Sequence, residues 1–436
     1  MKRLKSRQNL RIRKANQKIN SNMYTRVFLK KNEENEIKQG FPWVFDNEIS
    51  HIKFDSEGGV KQTSLEEAIV EDGSVVEVFA NAGGFLGSGV INRKSKITVR
   101  MIGSEHADQI MADAQAFYNE KIQSAYDLRR LHYAENDSYR LVYGEADFIP
   151  GLIVERYVDT EKRVYLVIQF STLSCEVFRK EILHALRKNI KPYGIYEKSD
   201  APSREKEGLS LRSCWEGEVR EEKIVIREND VLIEVDLANG QKTGYFLDQK
   251  DNRRYVGSLC KGKRVLDTFT HTGAFGLNAV KGGAKEVISV DISPEAVELV
   301  NKNISLNKAE GKMKAVCADV FDLLKEYEKS GEKFDLIVLD PPAFTKTAKN
   351  IEKAYGGYKE INLRAMRLLN PNGILVTCSC SYFFDSEHFY GMVMKAAEDS
   401  KKRVQILAKF GAGPDHPVLL GYPKSEYLKC AVCRVN

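Results

Sequence analysis

The sequence predicts an α/β protein in which a small β-barrel and a central α+β domain precede a C-terminal doubly wound sheet. Three observations support this prediction. Short strand-like runs separated by glycines fill residues 24–103, whereas residues 104–234 mix helical and strand patterns. From residue 235 to residue 436, strand-like and helix-like segments alternate strictly, which is typical of Rossmann-like sheets.

The barrel prediction rests on three short apolar runs, at residues 26–29, 74–78 and 97–100. The second run alternates with a period of two residues, as a half-buried strand does. Residues 83–84 and Gly87 are expected to break the strands between the second and third runs. Several short strands at this spacing are typical of a small barrel.

The central segment is expected to combine helices and paired strands. Residues 107–131 carry apolar side chains at three- and four-residue spacing, without glycine or proline, and predict one helix. Residues 175–189 predict a second helix. Residues 140–143 and 151–155 look like paired strands, and residues 164–168 predict another, so an α+β domain of undefined topology is expected.

The C-terminal segment predicts strands that end at polar loops. Two of the strands, residues 334–340 and 373–378, are apolar enough to be central parallel strands. Ligands of such sheets bind at the carboxyl ends of the strands. The other predicted elements are the strands 264–267 and 286–291 and the helices 274–280 and 294–307.

Composition places the chain among ordinary globular proteins. Its 436 residues are 42% hydrophobic and 29% charged, which suits two or three domains. The sequence contains neither an apolar run that could span a membrane nor a signal peptide. Eight cysteines without regular spacing argue against a secreted disulfide scaffold, and a cytoplasmic location is expected.

Residues 1–23 form a basic arm. Eight cations and no acid precede Met23, whereas the whole chain has a net charge of +6, so the remainder carries about −2. Such an arm suits contacts with nucleic-acid phosphates. The alternatives are a solubilising tail, translation that starts at Met23, or a transit peptide.

Acidic residues follow successive predicted strands of the C-terminal segment. Asp267 precedes a turn that contains Thr272 and Gly273 but lacks the full G-x-G-x-x-G pattern. Asp291 lies 24 residues further on, where a carboxylate can accept both ribose hydroxyls of a cofactor. Asp319 follows a third strand and is expected near an adenine amino group. This set fits S-adenosylmethionine better than NAD.

Two further loops suggest chemistry on a flat nitrogen heterocycle. Asp340 is followed by two prolines, Ala343 and Phe344, which predicts a rigid polar loop at a strand end. Cys380 lies between two serines at the end of the next strong strand, so its thiol is expected in the same cleft. Cys378 also lies near this strand end, but we expect it to remain within the strand.

These motifs carry a family resemblance over essentially everything after Tyr24. The chain resembles the class I S-adenosylmethionine-dependent rRNA methyltransferases of the large-subunit cytosine-5 type that carry an N-terminal PUA domain. Besides the turn after Asp267 and the loops at Asp340 and Cys380, the resemblance rests on Gln241-Lys242-Thr243-Gly244-Tyr245-Phe246-Leu247-Asp248-Gln249, Asp415-His416-Pro417 and Tyr427-Leu428-Lys429. One departure is Ala343, where family members often have Lys or Arg.

The resemblance implies methylation of carbon-5 of a cytosine in 23S rRNA, with RNA bound by the barrel as a PUA domain. Cys380 would add to carbon-6 of the base, and a protonated Asp340 would stabilise ring nitrogen-3. Phe344 would stack on the extruded base. The expected cofactor site comprises Phe246, Asp248, Asp267, Thr272, Gly273, Asp291, Asp319, Val320 and Asp340, and the expected substrate site Pro341, Pro342, Phe344 and Lys242.

Two other functions remain open at this point. Exocyclic-amine methyltransferases use a similar acid-Pro-Pro-aromatic loop and need no thiol, so Cys380 would then be a small buried residue. A non-catalytic RNA-binding assembly factor with a relic cofactor fold is the other alternative. Cys430 and Cys433 have the spacing of half a zinc site, but core packing is expected and no metal is predicted. A homodimer is left open.

Overall fold

The structure is a computed structural model that describes residues 24–345 and 348–436, with the side chain of residue 348 also left aside. The basic arm predicted at residues 1–23 lies outside the described residues. Four hydrogen-bonded sheets account for the strands of the described chain. No helix in these two ranges is both long and apolar enough to cross a membrane.

The first sheet contains seven strands in the order β2-β7-β6-β5-β1-β3-β4, and corresponds to the predicted small β-domain. Its alternating side chains enclose a separate apolar core that includes Val27, Val76 and Val99. The strands are β1 Arg26–Leu29, β2 Trp43–Phe45, β3 Ile49–Ser56, β4 Gly59–Thr63, β5 Val75–Phe79, β6 Phe85–Ile91 and β7 Ile97–Gly103, with helix α1 Glu34–Lys38 after β1.

The expectation that Gly87 breaks a strand is wrong, because β6 runs through it. Gly87 has a φ of +144°, and a Cβ atom there would lie 2.6 Å from the carbonyl oxygen of Gly103 on β7. The pairing of β6 with β7 shifts register beside it, between Ser88 and Gly89. The glycine therefore permits an irregular, closely paired strand rather than ending one.

The second sheet contains five strands in the order β12-β11-β10-β9-β8. The predicted pairing of the strands at residues 140–143 and 151–155 is present and antiparallel, whereas β10 and β11 are parallel. One face of this sheet is covered by helices that share an apolar core with it. The elements are α2 Ala107–Ala112, α3 Ala114–Arg130, β8 Tyr139–Tyr143, β9 Leu152–Val158, β10 Val164–Phe170, α4 Leu173–Val177, α5 Arg179–Ile190, β11 Gly194–Ser199 and β12 Arg212–Trp215.

Each of the two helices predicted here is interrupted once. Asp113 separates α2 from α3 with φ −153° and ψ 74°, and its side chain accepts a hydrogen bond from the backbone N–H of Ala116. Asp113 therefore caps a new helix in mid-pattern, which hydrophobic spacing alone does not reveal. Phe178 likewise separates α4 from α5, but its side chain does not cap the second helix.

The C-terminal sheet is doubly wound, as predicted, with the order β17-β16-β15-β18-β19-β21-β20. All its pairings are parallel except those of β21, which runs antiparallel to both of its neighbours. A separate hairpin, β13 Lys223–Glu228 and β14 Val231–Asp236, precedes it. The sheet strands are β15 Arg264–Thr268, β16 Glu286–Asp291, β17 Met313–Cys317, β18 Phe334–Leu339, β19 Leu369–Ser379, β20 Val404–Phe410 and β21 Lys429–Val435.

The helices of this region cover both faces of the sheet and also hold the hairpin. Asn303 and Asn307 accept backbone N–H bonds from Glu234 and Leu232 of β14, at 2.8 and 2.9 Å. The hairpin thus packs on the C-terminal sheet's helices. The helices are α6 Lys250–Ser258, α7 Ala274–Lys281, α8 Pro294–Leu306, α9 Val320–Ser330, α10 Ile351–Leu368 and α11 Ser386–Ser400.

The strand order reverses between β15 and β18, which are parallel neighbours. At such a switch point the connections leave in opposite directions and open a crevice at the carboxyl ends of the strands. The carboxyl ends of β15, β16, β18 and β19 and the loops after them carry acids, the two prolines and the cysteine that the sequence singled out.

Candidate active site

A cavity of about 320 Å³ lies at the carboxyl ends of β15, β16, β18 and β19. We call it the switch-point cavity. It brings together residues from positions 241 to 428, so the fold assembles it from loops distant in sequence. Nine of the predicted site residues line it: Lys242, Phe246, Asp248, Thr272, Asp291, Asp340, Pro341, Pro342 and Cys380.

Asp267 does not line this cavity and is instead an interior anchor of the glycine turn. It is 1% exposed, and one carboxylate oxygen accepts bonds from the backbone N–H of Gly276 at 3.0 Å and from Ser289 Oγ at 2.9 Å. The Thr270 hydroxyl donates to the same oxygen. Burial raises the pKa of Asp267 to about 6. The carboxylate therefore holds the turn in place through hydrogen bonds made in the protein interior.

Gly273, Asp319 and Val320 also lie outside the cavity wall. Gly273 has a φ of +79° before α7, and a Cβ atom there would lie 3.0 Å from Val300. Asp319 is exposed and caps α9, accepting the backbone N–H of Phe321 at 2.7 Å. Val320 is buried in the apolar core. The third acid thus has a sufficient structural role as a helix cap.

Phe344 packs beneath the cavity and does not line it. Its ring lies 4.5 Å from the ring of Tyr358 and 5.9 Å from that of Phe321, measured between centroids. Tyr358 is fully buried. In this structure the Phe344 ring therefore packs against Tyr358 and Phe321 and is not part of the cavity wall.

Asp291 and its neighbours form a surface that fits a nucleoside. Asp291 accepts the backbone N–H groups of His271 at 2.9 Å and Ser293 at 3.1 Å, one on each oxygen. Each oxygen keeps a lone pair, so both can accept ribose hydroxyls. Ile292 is 63% exposed beside it, and Phe269 adds a second apolar surface suited to adenine.

His271 adds an unsatisfied polar atom to this wall. Its Nδ1 is buried and has no hydrogen-bond partner among the residues that the structure describes. Burial lowers the pKa of His271 to about 4, so the ring is neutral at physiological pH. With Asp291, this atom fits a cofactor that brings hydrogen-bonding groups but no pyrophosphate. In the sequence, this surface is marked by the apolar Ile292 directly after Asp291, a signal that the strand-end acids alone did not reveal.

Asp340 presents a carboxyl group that is neutral over part of the physiological pH range. Gln249 Nε2 donates to it at 2.9 Å. Burial and the nearby charge of Asp248 raise the pKa of Asp340 to about 7, although Arg253 opposes the shift. A carboxyl with this pKa can donate a hydrogen bond at neutral pH, as few exposed carboxyls can.

Asp248 is a second carboxylate in the same cavity, with different surroundings. The hydroxyl of Tyr427 donates to its Oδ2, and its Oδ1 is buried without a partner in the described chain. Burial would raise its pKa, but neighbouring groups outweigh burial and lower the pKa of Asp248. In order of effect, these groups are His416, Lys242, Tyr427 and Arg140.

The two cysteines near the end of β19 are clearly distinguished. Cys378 is fully buried within the strand, paired in register with Cys430 of β21. Cys380 lies just past the strand and lines the cavity. Burial raises the pKa of the Cys380 thiol, and the charge of Lys242 opposes this shift. Only one of the two thiols therefore faces the cavity.

Hydrogen bonds tie the loop of Cys380 to the loop of Asp340. Ser379 Oγ donates to the hydroxyl oxygen of Tyr358 at 3.1 Å, and Ser381 Oγ donates to the carbonyl oxygen of Thr345 at 3.0 Å. Lys429 Nζ donates to the carbonyl oxygen of Ser381 at 2.6 Å. Burial lowers the pKa of Lys429 to about 8. The sequence indicated Lys429 only as the last residue of the Tyr427-Leu428-Lys429 motif.

A second cavity of about 410 Å³ adjoins the first, and we call it the interdomain cavity. Its wall combines the central sheet with the C-terminal region. Lys242 and Asp248 line both cavities. Lys242 has a φ of +51°, and its Nζ lies 4.7 Å from the ring centroid of Phe246. The other residues that line the interdomain cavity include Arg140, Tyr143, Lys424 and Tyr427.

Asp415, from the Asp-His-Pro motif, joins the central sheet to the C-terminal region. Its side chain accepts the backbone N–H of Arg140 at 2.9 Å, and Arg129 donates to its backbone carbonyl at 2.7 Å. Arg129 is fully buried and also pairs with both oxygens of Asp147. The motif therefore ties β8, whose Arg140 lines the interdomain cavity, to the C-terminal region.

Comparison with known proteins agrees with this architecture. A family model described as S-adenosylmethionine-dependent methyltransferase matches residues 210–406, and a model described as PUA-like domain matches residues 27–103. The first sheet is therefore PUA-like and the C-terminal sheet a methyltransferase domain. The cofactor of this domain is S-adenosylmethionine, which the acidic and apolar surface around Asp291 fits.

Full-length relatives share the whole arrangement. "Ribosomal RNA large subunit methyltransferase I" of Tolumonas auensis is 39% identical over 94% of this chain and 100% of its own length. The protein of the same name from Aliivibrio fischeri is 37% identical over 95% of this chain and 100% of its own length.

Solved structures share the fold at lower identity. A proposed SAM-dependent methyltransferase from Streptococcus mutans covers 94% of this chain and 99% of its own, with a TM-score of 0.74 and 22% identity. Another methyltransferase structure, complexed with SAH, has a TM-score of 0.76 at the same identity and coverage. By its full-length similarity to the curated relatives, the chain belongs to the ribosomal RNA large subunit methyltransferase I family of S-adenosylmethionine-dependent enzymes.

Proposed function

We propose that this protein methylates carbon-5 of a cytosine in large-subunit rRNA through a covalent bond between Cys380 and the base. The observation that carries the proposal is that Cys380 lines the same cavity as Asp340 and Asp291, whereas Cys378 is buried in its strand. A thiol, a protonatable carboxyl and a nucleoside-binding acid are thereby within one crevice.

Addition of the thiolate is the first step. Carbon-5 of cytosine is a weak nucleophile, and a bond from Sγ of Cys380 to carbon-6 converts it into an enamine carbon. Only the thiolate attacks, and burial disfavours it. The charge of Lys242 favours the thiolate, while Lys429 holds the backbone of the cysteine loop through Ser381. Lys242 and Lys429 are therefore assigned to thiolate formation and loop positioning.

Asp340 stabilises the charge that addition creates on the ring. Its carboxyl is placed by Gln249, and a pKa near 7 leaves a proton to donate to ring nitrogen-3. Pro341 and Pro342 restrict the backbone beside it. Preorganised donors of this kind do not have to reorient during the reaction, and each contributes about 10²-fold or more to the rate.

The remaining steps restore the aromatic ring. When bound, S-adenosylmethionine supplies an electrophilic methyl group for carbon-5. A base then takes the carbon-5 proton, and the C–H electron pair re-forms the double bond between carbon-5 and carbon-6 and expels Sγ, while nitrogen-3 returns its proton to Asp340. Cys380 leaves as the thiolate and is ready for another turnover. The cofactor would be held at Asp291, Thr272, Phe246 and the apolar surface of Ile292.

We assign the chain before residue 235 to RNA binding. Residues 24–103 form the PUA-like unit, residues 104–234 the central unit that borders the interdomain cavity, and residues 235–436 the methyltransferase unit. Residues 1–23 would contact RNA phosphates through their basic side chains. These boundaries are part of the proposal.

The decisive test uses large-subunit rRNA transcribed with 5-fluorocytosine in place of cytosine. Fluorine cannot leave as a proton does, so the enzyme and RNA stay joined after methyl transfer. We expect a denaturation-resistant adduct with the wild type in the presence of cofactor, and none with Cys380→Ala. Mapping the adduct along the RNA identifies the target cytosine.

A matched control keeps this result specific to one thiol. Cys317 is an exposed free cysteine at the end of β17, and Cys317→Ala should form the adduct at the wild-type rate. Wild-type enzyme that methylates RNA without an adduct, together with full activity of Cys380→Ala, would contradict the proposal.

One observation favours a second candidate function. Burial raises the pKa of Cys380, which disfavours a nucleophilic thiolate, and the Asp-Pro-Pro loop of exocyclic-amine methyltransferases needs no thiol. That reaction predicts that Asp340→Ala is inactive while Cys380→Ala is fully active. Its product carries the methyl group on a base nitrogen, which mass spectrometry of digested RNA distinguishes from 5-methylcytosine.

A further inference from the structure

We propose that Asp248 selects cytosine over uracil by accepting a hydrogen bond from the exocyclic amine of the target base. The inference rests on the proposed function and adds a specificity-determining residue to it. Asp248 lies where the switch-point cavity meets the interdomain cavity and lines both. A base that enters beside Cys380 and Asp340 therefore passes this carboxylate.

The hydrogen bonding of Asp248 leaves an acceptor unused. The Tyr427 hydroxyl occupies Oδ2, but Oδ1 has no partner in residues 24–345 or 348–436, although the side chain is 94% buried. A buried acceptor without a donor costs free energy, and more so when it is charged. A donor brought by a ligand removes that cost. The amine of cytosine is such a donor.

The environment of Asp248 keeps it an acceptor only. The titratable groups that face it include Lys242 from the preceding loop, Arg140 from β8 and Arg253 from α6. His416 from the C-terminal segment also faces it, and Asp340 lies across the cavity. An ionised carboxylate beside the cationic side chains of Lys242 and Arg140 has no proton to donate. It can therefore pair with an N–H group but repels a carbonyl oxygen.

The two carboxyl groups of the cavity match the edge of cytosine. Cytosine offers an acceptor at ring nitrogen-3 and a donor at its exocyclic amine, and a neutral Asp340 beside an ionised Asp248 presents the complementary donor and acceptor. Uracil presents a donor at nitrogen-3 and an acceptor at oxygen-4, so both pairings fail. Sites that leave buried polar groups unpaired with the wrong ligand discriminate strongly.

The experiment compares short RNAs that carry 5-fluorocytosine or 5-fluorouracil at the position mapped by adduct trapping. The rate of covalent adduct formation is measured for the wild type and for Asp248→Asn, with cofactor present. The wild type should prefer the cytosine RNA. Asparagine offers an N–H donor to uracil oxygen-4, so we expect the rate ratio of cytosine to uracil to fall tenfold or more.

Two controls separate this role from others. Tyr427→Phe removes the donor to Oδ2 but keeps the carboxylate, and should retain the wild-type preference for cytosine. Calorimetric titration of Asp248→Asn with S-adenosylmethionine should give an affinity within threefold of the wild type. A tenfold weaker cofactor affinity would assign Asp248 to the cofactor's amino group instead and overturn the inference.

The remaining outcomes are equally distinct. If the wild type forms an adduct and Asp248→Asn keeps the full preference for cytosine, the inference alone is wrong. If the wild type forms no adduct with either RNA, the proposed function fails and this inference fails with it. Should Asp248→Asn lack the circular-dichroism spectrum of the wild type, Asp248→Ser decides, since a serine hydroxyl can donate as well as accept.

Discussion

Ser381 Oγ donates a hydrogen bond of 3.0 Å to the carbonyl oxygen of Thr345. This bond joins the loop that carries Cys380 to the loop that starts at Asp340. Both loops follow adjacent parallel strands, β18 and β19, so the sheet sets their origin and this contact sets their separation. The distance between the thiol and the carboxyl thus depends on a residue that touches neither.

Replacing Ser381 should therefore impair catalysis more than stability. Ser381→Ala removes one hydrogen bond, worth about 0.5–1.5 kcal/mol of unfolding free energy. A misplacement of about 1 Å in an active site can cost about 10²-fold in rate, so we expect at least a tenfold loss of kcat. Single-turnover methylation kinetics measure it.

The control for this prediction is Ser330→Ala at the end of α9. Its hydroxyl makes a comparable bond, of 3.2 Å to the carbonyl oxygen of Tyr327, at an exposed position. It should retain wild-type kcat. Equal losses in the two variants would mean that the contact between Ser381 and Thr345 has no special effect on the active site.

The pH dependence of the reaction should show the protonation of Asp340. Activity requires the Cys380 thiolate, which increases with pH, and protonated Asp340, which decreases above its pKa of about 7. Below pH 7 only the thiolate changes, so kcat/KM rises with pH. Above pH 7 the two effects cancel, and kcat/KM stays level until the raised pKa of the thiol is reached.

Asp340→Asn tests this assignment because asparagine keeps an N–H donor but cannot ionise. Its kcat/KM should be lower but should continue to rise with pH through 7 and up to the pKa of the thiol. Profiles measured with saturating cofactor between pH 5.5 and pH 9, a range of about three and a half pH units around neutrality, show the difference. A wild-type profile without a break near pH 7 would contradict the assigned role of Asp340.

The sequence predicted the central strands of the C-terminal sheet, β15, β16, β18 and β19, because each of them carries a largely apolar run. For the same reason it predicted which thiol faces the cavity, since Cys380 lies two residues beyond Cys378. Position along a strand is a local property. The helix breaks at Asp113 and Phe178 were missed because both interrupt patterns that remain amphipathic on either side.

Other site residues could not be predicted from strand ends alone. Asp319 follows a strand as Asp291 does, but β17 lies at the edge of the sheet, two strands from the switch point. Strand order is not visible in one sequence. Arg140 of the central sheet helps to lower the pKa of Asp248. This effect likewise depends on a contact between residues more than a hundred positions apart.

A buried ion pair behind the cofactor wall should carry much of the local stability. Arg253 donates to both oxygens of Glu228 at 2.6 and 2.8 Å, and also to the carbonyl oxygen of Phe246 at 2.9 Å. Both side chains are almost fully buried. Glu228→Gln leaves the guanidinium without a counter-charge, which costs about 3–5 kcal/mol in comparable pairs.

Urea denaturation followed by tryptophan fluorescence and circular dichroism measures this loss. The control is Glu332→Gln, which breaks a partly exposed pair with Arg264 and should cost no more than about 1 kcal/mol. Cofactor affinity should also fall in Glu228→Gln, because Phe246 lines the cavity. Similar midpoints for the two variants would show that the buried pair does not stabilise this wall.

Asp291 and Asp319 make a matched pair for testing the cofactor site. Both are acids after parallel strands, but only Asp291 lines the switch-point cavity, whereas Asp319 caps α9. Asp291→Ala should weaken S-adenosylmethionine binding at least tenfold, because two ribose hydroxyls lose a charged acceptor worth roughly 1.5–3 kcal/mol. Asp319→Ala should keep the affinity within threefold and lower the unfolding free energy by about 1 kcal/mol. Isothermal titration and urea denaturation of both variants separate the two roles, and a tenfold weaker affinity in Asp319→Ala would place the adenine near α9 instead.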